Sequence, residues 1–196
     1  MTLKRVTDIV GSFLLVVLLL PLLTMAAVLV AIDDGWPLIY RRRVVGPRGE
    51  FDAYKFRTMR RDADRILAEN SQLRMEFERQ FKLKNDPRVT RLGSILRKFS
   101  LDELPQLLNV VKGDMSLVGP RMICKQELAK YGPHQELLLT VKPGLTGYWQ
   151  VNGRQTVDYE ERVRMDLYYV EHRSFRLDLK ILAKTPFTVL KREGAY

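Results

Sequence analysis

Asp102 and Glu103 stand side by side in the stretch SLDELPQLLN, Ser100 to Asn109, at the head of a leucine-rich run. Cations surround them in sequence: Arg88, Arg91, Arg97 and Lys98 before the pair, Lys112 and Arg121 after it. Ser100-x-x-Glu103 matches a capping box, in which both side chains satisfy free N–H groups at a helix start. Pro105 argues against that frame, because a cap at Ser100 would make it the fifth helical residue, past the first turn where proline is comfortable. A cap at Leu101 or Asp102 removes the conflict and puts Asp102 at the mouth of the helix, where the dipole favours an ionised carboxylate and attracts phosphate. Such an aspartate is repelled by bound phosphate unless cations neutralise both. With that help it can hold Mg²⁺, which often takes only one or two protein ligands, or attack phosphorus itself to give an acyl phosphate. Electrostatic stabilisation of the transferring group would then supply most of the rate.

The rest of the composition bounds these options. The 196 residues carry 33 Lys and Arg against 23 Asp and Glu, a surplus that suits phosphate in nucleic acid, anionic lipid or nucleotide. A single cysteine, Cys124, excludes an internal disulfide framework and fits a reducing compartment. Two distant histidines, His134 and His172, make no zinc site with it. There is no P-loop and no G-x-G-x-x-G.

The elements that must position the pair begin with a membrane segment. Ile9 to Ile32 is uncharged, and its ~24 residues exceed the ~20 that a helix needs to cross hydrocarbon. It is too long for a signal peptide and shows no clear cleavage site. Pro21 near its middle should bend a helix. Lys4 and Arg5 precede it, and Arg41, Arg42 and Arg43 follow. Positive charge marks the cytoplasmic side, so charge alone balances a re-entrant helix against a spanning one. The division expected is a membrane helix over residues 1–34 and a water-facing domain over 35–196.

Within that domain, Val44 to Phe56 reads as two short strands around a Gly46-Pro47-Arg48-Gly49 turn. A helix is expected from about Arg61 to Lys84, with Ile66, Leu73, Phe77 and Phe81 on one stripe and Pro87 ending it. A second runs from about Glu103 to Lys112, burying Leu104, Leu107, Leu108 and Val111. VKPGLTGYWQVNGR, Val141 to Arg154, is loop with short strands. A third helix covers Tyr159 to Val170. The tail from Asp178 to Arg192 is a basic amphipathic segment, equally suited to a membrane surface or to the core. The fold class is α+β, mostly helical, with a small β-hairpin and interfacial amphipathic helices.

Four stretches in order, KFRTM (Lys55–Met59), SLDELPQLLNVVKGDMSLVGPR (Ser100–Arg121), KPGLTGYWQVNGR and DLYYVEHRSFRLDLKI (Asp166–Ile181), resemble the monotopic phosphoglycosyl transferases of the bacterial sugar transferase family. The likeness extends over nearly the whole chain. It implies transfer of a phosphosugar from a UDP-sugar to a polyprenol phosphate such as undecaprenyl phosphate, with release of UMP, at the start of O-antigen, capsule, exopolysaccharide or glycoprotein glycan synthesis. It implies Mg²⁺, a covalent phosphosugar on Asp102, which would also hold the metal, and assistance from Glu103. Arg97 and Arg121 match phosphate-holding positions, with Lys55, Arg57 and Arg154 as weaker candidates. It favours the re-entrant helix bent at Pro21, on the cytoplasmic face of a bacterial inner membrane and among anionic lipids, with no nucleic acid partner.

Two departures stand out. Met122 replaces the proline usual after VGPR, so the loop carrying Arg121 lacks a fixed φ. Leu20 replaces a serine whose hydroxyl could bond backbone freed by the kink. The rival class is a membrane-tethered module that holds nucleic acid or anionic lipid by charge alone, with steep salt dependence and no turnover. The sequence leaves open the sugar, the glycan and the oligomeric state, a homodimer included.

Overall fold

A computed structural model describes residues 2–81, 83, 85–153 and 157–191. Its first helix, α1, runs Leu3–Asp34 and continues through Pro21. It is long and apolar enough to cross a membrane by length and composition. Its inward positions are Asp8, Ser12, Leu15, Leu19, Leu23, Ala26 and Val30. That spacing of three and four residues is one helical stripe, and it lies against the rest of the chain. Near the start, Asp8 Oδ1 accepts from Ser116 Oγ and from the Leu117 N–H, both at 2.9 Å. Arg5 donates to the carbonyls of Val110 and Val111. Near the end, Ala26 and Val30 close a small core with Phe56 and Leu96. The opposite face leaves Phe13, Leu14, Val17 and Leu18 exposed. The hydroxyl beside Pro21 is that of Thr24, which donates to the Leu20 carbonyl at 2.9 Å.

The hairpin forms as its turn residues dictate: β1 (Ile39–Gly46) pairs antiparallel with β2 (Gly49–Phe56). The single long helix expected next is instead two, α2 (Ala63–Glu69) and α3 (Ser71–Gln80). Asn70 leaves the helical region, and its side chain accepts from the Leu73 N–H at 3.0 Å, so it caps a fresh start. Phe81, in the left-handed region, ends α3 well before Pro87. A helix that the apolar periodicity did not signal, α4 (Arg91–Lys98), comes next with Thr90 as its cap.

The acidic stretch opens as a 3₁₀ turn, Leu101–Gln106, and becomes α5 (Leu107–Lys112). Three residues per turn at the start shift the phase of α5. The buried side chains are therefore Leu107, Asn109 and Val110, while Leu108 and Val111, expected inside, are exposed. Next come β3 (Ser116–Val118), α6 (Lys125–Leu128), a 3₁₀ turn (Ala129–His134), α7 (Gln135–Leu138), β4 (Gly144–Thr146) and α8 (Tyr148–Asn152). The two strands pair in parallel, Ser116 with Gly144 and Val118 with Thr146. This brings the loop after β3 beside α8. Gly119 sits at the crossing, where a Cβ would meet the backbone of Lys142 and Gly144.

The last helices are α9 (Tyr159–His172) and α10 (Phe175–Lys191). α10 packs on the core through one face: Ile181 is buried in the main core, whereas Leu179, Phe187 and Leu190 are exposed. That core gathers Val44, Ala53, Leu107, Val110, Leu117, Ile123, Tyr131 and Val170 from most of these elements.

Candidate active site

Ser100 takes a left-handed backbone, φ 57°, and turns the chain sharply out of α4. No capping box forms there. The turn delivers Asp102 and Glu103 in its first residues, with Asp102 only 7% exposed. Lys55 reaches them from β2: its Nζ lies 2.5 Å from Glu103 Oε1 and 4.0 Å from Asp102 Oδ2. Asn109 holds β2 in that position. Its Oδ1 accepts from the Tyr54 N–H at 3.0 Å, and its Nδ2 donates to the Asp52 carbonyl at 2.8 Å. One buried carboxamide thus acts as a missing strand beside the lysine.

Arg97 approaches from the last turn of α4, and its Nε donates to Thr58 Oγ1 at 2.9 Å. That contact depends on Gly93, because α4 packs so tightly on β2's continuation that a Cβ at 93 would collide with the Thr58 carbonyl. Burial raises the Asp102 carboxyl above its usual range, and the charges of Lys55 and Arg97 pull it back only in part. The expected helix-end field does not prevail, since the turn is short and the group is dry. Burial also pushes on Glu103, but the charge and hydrogen bond of Lys55, aided by Arg121 and Arg42, hold it below the usual range.

The other expected ligands divide. Arg121 is brought to this side of the molecule, its N–H held by Asp166 Oδ1 at 3.0 Å. Met122 is buried in the main core, so packing fixes the loop that lacks proline. Arg57 has a different task. It donates to the carbonyls of Asp34 and Gly35 at 2.7 and 2.6 Å and pairs with the Asp34 carboxylate at 3.0 Å, which ties down the end of α1. Arg154 lies outside the described residues. Arg88 is spent on Asp86 at 2.7 Å, a buried pair.

Sequence reasoning missed Asn109, Thr58 and a group around Glu127. Glu127 is fully buried and pairs with Arg42 at 2.5 Å and Arg162 at 3.9 Å. Asn109 was visible as a polar residue inside a leucine run; the others are joined only by the fold. Among the described residues, no three His, Cys, Asp or Glu side chains cluster to hold a metal. The acidic pair still suits a hard cation that draws its remaining ligands from phosphate and water. Asp102 accepts no hydrogen bond from another side chain among the described residues; its contacts are the 4.0 Å ion pair with Lys55 and a backbone N–H.

The family model for bacterial sugar transferases matches residues 1–192. The undecaprenyl-phosphate galactose phosphotransferase of Salmonella typhimurium is 48% identical over 199 residues, covering 99% of this chain and 42% of the relative. The exopolysaccharide production protein ExoY of Sinorhizobium fredii is 43% identical, covering 98% of this chain and 88% of ExoY. The UDP-glucose:undecaprenyl-phosphate glucose-1-phosphate transferase of Escherichia coli is 37% identical, covering 99% and 41%. The chain belongs to the bacterial sugar transferase family. It spans 42% of the length of the first curated relatives it matches.

Proposed function

We propose that this protein transfers a sugar 1-phosphate from a UDP-sugar to undecaprenyl phosphate, as the names of the Salmonella and Escherichia relatives suggest. One observation carries the reading: a buried carboxylate held by no side-chain hydrogen bond, Asp102, lies in the field of Lys55 and Arg97. Asp102 attacks the phosphorus that bears the sugar. The bond from that phosphorus to the bridging oxygen breaks, and its electron pair leaves with UMP. An oxygen of the polyprenol phosphate then attacks the same phosphorus, the bond to Asp102 breaks, and the carboxylate is restored. Glu103, ionised beside Lys55, receives the acceptor's proton when that phosphate arrives singly protonated. Lys55, Arg97 and Arg121 offset charge on the phosphates. Mg²⁺ on Asp102, when bound, would add positive charge at the transferring group.

The helix geometry supports placing both ends of α1 on one face of the membrane. Its inward stripe touches the water-facing domain near both ends. A helix of this length, ~48 Å, standing upright in a bilayer would drag that charged domain into hydrocarbon. Exposed Leu108, Val111, Leu179 and Phe187 suit helices lying in the interface. The basic surplus suits anionic lipid on the cytoplasmic side of a bacterial inner membrane.

Incubation with UDP-sugars and no acceptor should release about one UMP per chain and leave a phosphosugar mass on the Asp102 peptide. Asp102→Asn should do neither. Turnover without an adduct would remove the double displacement, and no UMP from any donor in a panel would remove the reaction itself. Removing divalent metal with a chelator should stop release, and Mg²⁺ should restore it.

A further inference from the structure

Behind the acidic pair lies a second group of cations, built around Trp149. The Arg121 guanidinium carbon is 5.2 Å from the centre of the indole, and that of Arg162 is 5.7 Å away. Arg162 also stacks on Tyr159 at 3.9 Å. Arg42 completes the set through Glu127. The carboxylates facing these three arginines are Glu127 and Asp166, and Asp166 already accepts from the Tyr131 hydroxyl and the Arg121 N–H. Arg42 is hydrogen-bonded to Glu127, but part of the donor capacity of Arg121 and Arg162 is left over. Arg121 Nε, Arg162 Nε, Arg162 Nη2 and Trp149 Nε1 are buried without a hydrogen-bond acceptor. Folded proteins rarely leave such donors unpaired, least of all charged ones. Two guanidinium groups beside one indole, with N–H groups left unpaired and an excess of positive charge, match the oxygens of a phosphate.

We infer that Arg162, together with Arg121, binds the nucleotide-bearing phosphate of the donor, the one that leaves, while Asp102 engages the phosphate that bears the sugar. This rests on the reaction proposed above. Two observations select the donor over the lipid phosphate. Arg121 and Arg42 act on the Glu103 carboxylate through their charge, so the cation group adjoins the acidic pair, as the second phosphate of one diphosphate requires. α6 and α8, which carry Glu127 and Trp149, are not among the elements extensively packed on α1, and α9 meets α1 at Tyr169, two turns beyond Arg162. The Trp149–Arg162 end of the subsite thus lies apart from the α1 contacts, as a water-borne ligand requires.

The test uses the full chain in detergent, with UMP as the probe. Arg162→Ala should weaken UMP binding by calorimetry at least tenfold and raise KM for the UDP-sugar. KM for the polyprenol phosphate should not move. Arg162→Lys should recover only part of the loss, because an ammonium lacks the fork. Should Arg162→Ala not fold, Trp36→Phe leaves Trp149 as the single indole. UMP should then change its fluorescence, and uridine, lacking the phosphate, should not. Unchanged UMP affinity in Arg162→Ala, a shift confined to the polyprenol phosphate KM, or an indole blind to bound UMP would each overturn the inference while leaving the Asp102 reaction standing. Loss of UMP release from every UDP-sugar in the wild-type chain would instead remove the reaction on which it rests.

Discussion

Lys55 Nζ sits 2.5 Å from Glu103 Oε1, so one ammonium from the hairpin neutralises one member of the acidic pair and stands 4.0 Å from the other. Both carboxyls owe part of their ionisation to this cation. Lys55→Met should therefore raise both of their pKa values. Activity that needs ionised carboxylates would then fall away at higher pH than in the wild type. UMP release should drop more than tenfold at pH 6 and by less at pH 8. A uniform loss at all pH values would show that Lys55 acts only on substrate.

Asn109 is the hinge pin of that arrangement. Asn109→Ala removes two hydrogen bonds and leaves the Tyr54 N–H and the Asp52 carbonyl unpaired. Denaturant unfolding in detergent should show a loss of about 2–4 kcal/mol. Asn109→Asp keeps an acceptor but cannot donate to Asp52, so it should not restore stability.

Gly93 sets the depth at which α4 packs. Gly93→Ala pushes its Cβ into the Thr58 carbonyl, and backbone must move to relieve it. The Arg97–Thr58 hydrogen bond should be lost with the shift. Turnover should fall more than Arg97→Lys alone lowers it, with a lower melting temperature. A variant equal to wild type in both would show that α4 is free to slide.

Asp166 offers a pH test of stability. Burial raises its carboxyl to about 6 from 3.8. The protonated folded form is favoured, so its contribution is complete below about pH 4 and is lost as pH rises through about 6. The loss is about 3 kcal/mol, since each pH unit between the unfolded and folded pKa values corresponds to about 1.4 kcal/mol. The Asp166→Asn variant lacks this titration. Its unfolding free energy relative to wild type should improve from pH 4 to pH 7, and a constant difference would contradict the assignment.

Tags placed at either end of α1 should both be protected in intact cells and both be cleaved after the membrane is opened. Exposure of the N-terminal tag alone on the outside would require an upright helix.

Much of this site was legible in residue order. The acidic pair, its flanking cations, the hairpin turn and the apolar first helix all carry their signal within a few residues. What escaped was set by phase and by distance in sequence. A 3₁₀ start moved Leu108 and Val111 from the expected buried face to the surface, because the expectation took 3.6 residues per turn throughout. Asn70 split a helix whose apolar spacing continues across the break. The resemblance of KFRTM to the family makes Arg57 a weaker phosphate candidate, and in the structure it donates to carbonyls at the end of α1. Arg162 sits in a helix with charges of both signs, and nothing local distinguishes it from a solvated residue. Only the parallel strand pair, which lays the Arg121 loop beside α8, creates its neighbourhood.

The first helix contributes Ala26 and Val30 to the same cluster as Phe56 and Leu96. It is therefore a structural wall of the candidate site as well as its proposed attachment to lipid. Trimming the chain ahead of residue 35 to obtain a soluble fragment would strip away that wall and loosen the strand that presents Lys55 and the helix that presents Arg97. The apolar helix and the acidic pair's supports were built as one piece.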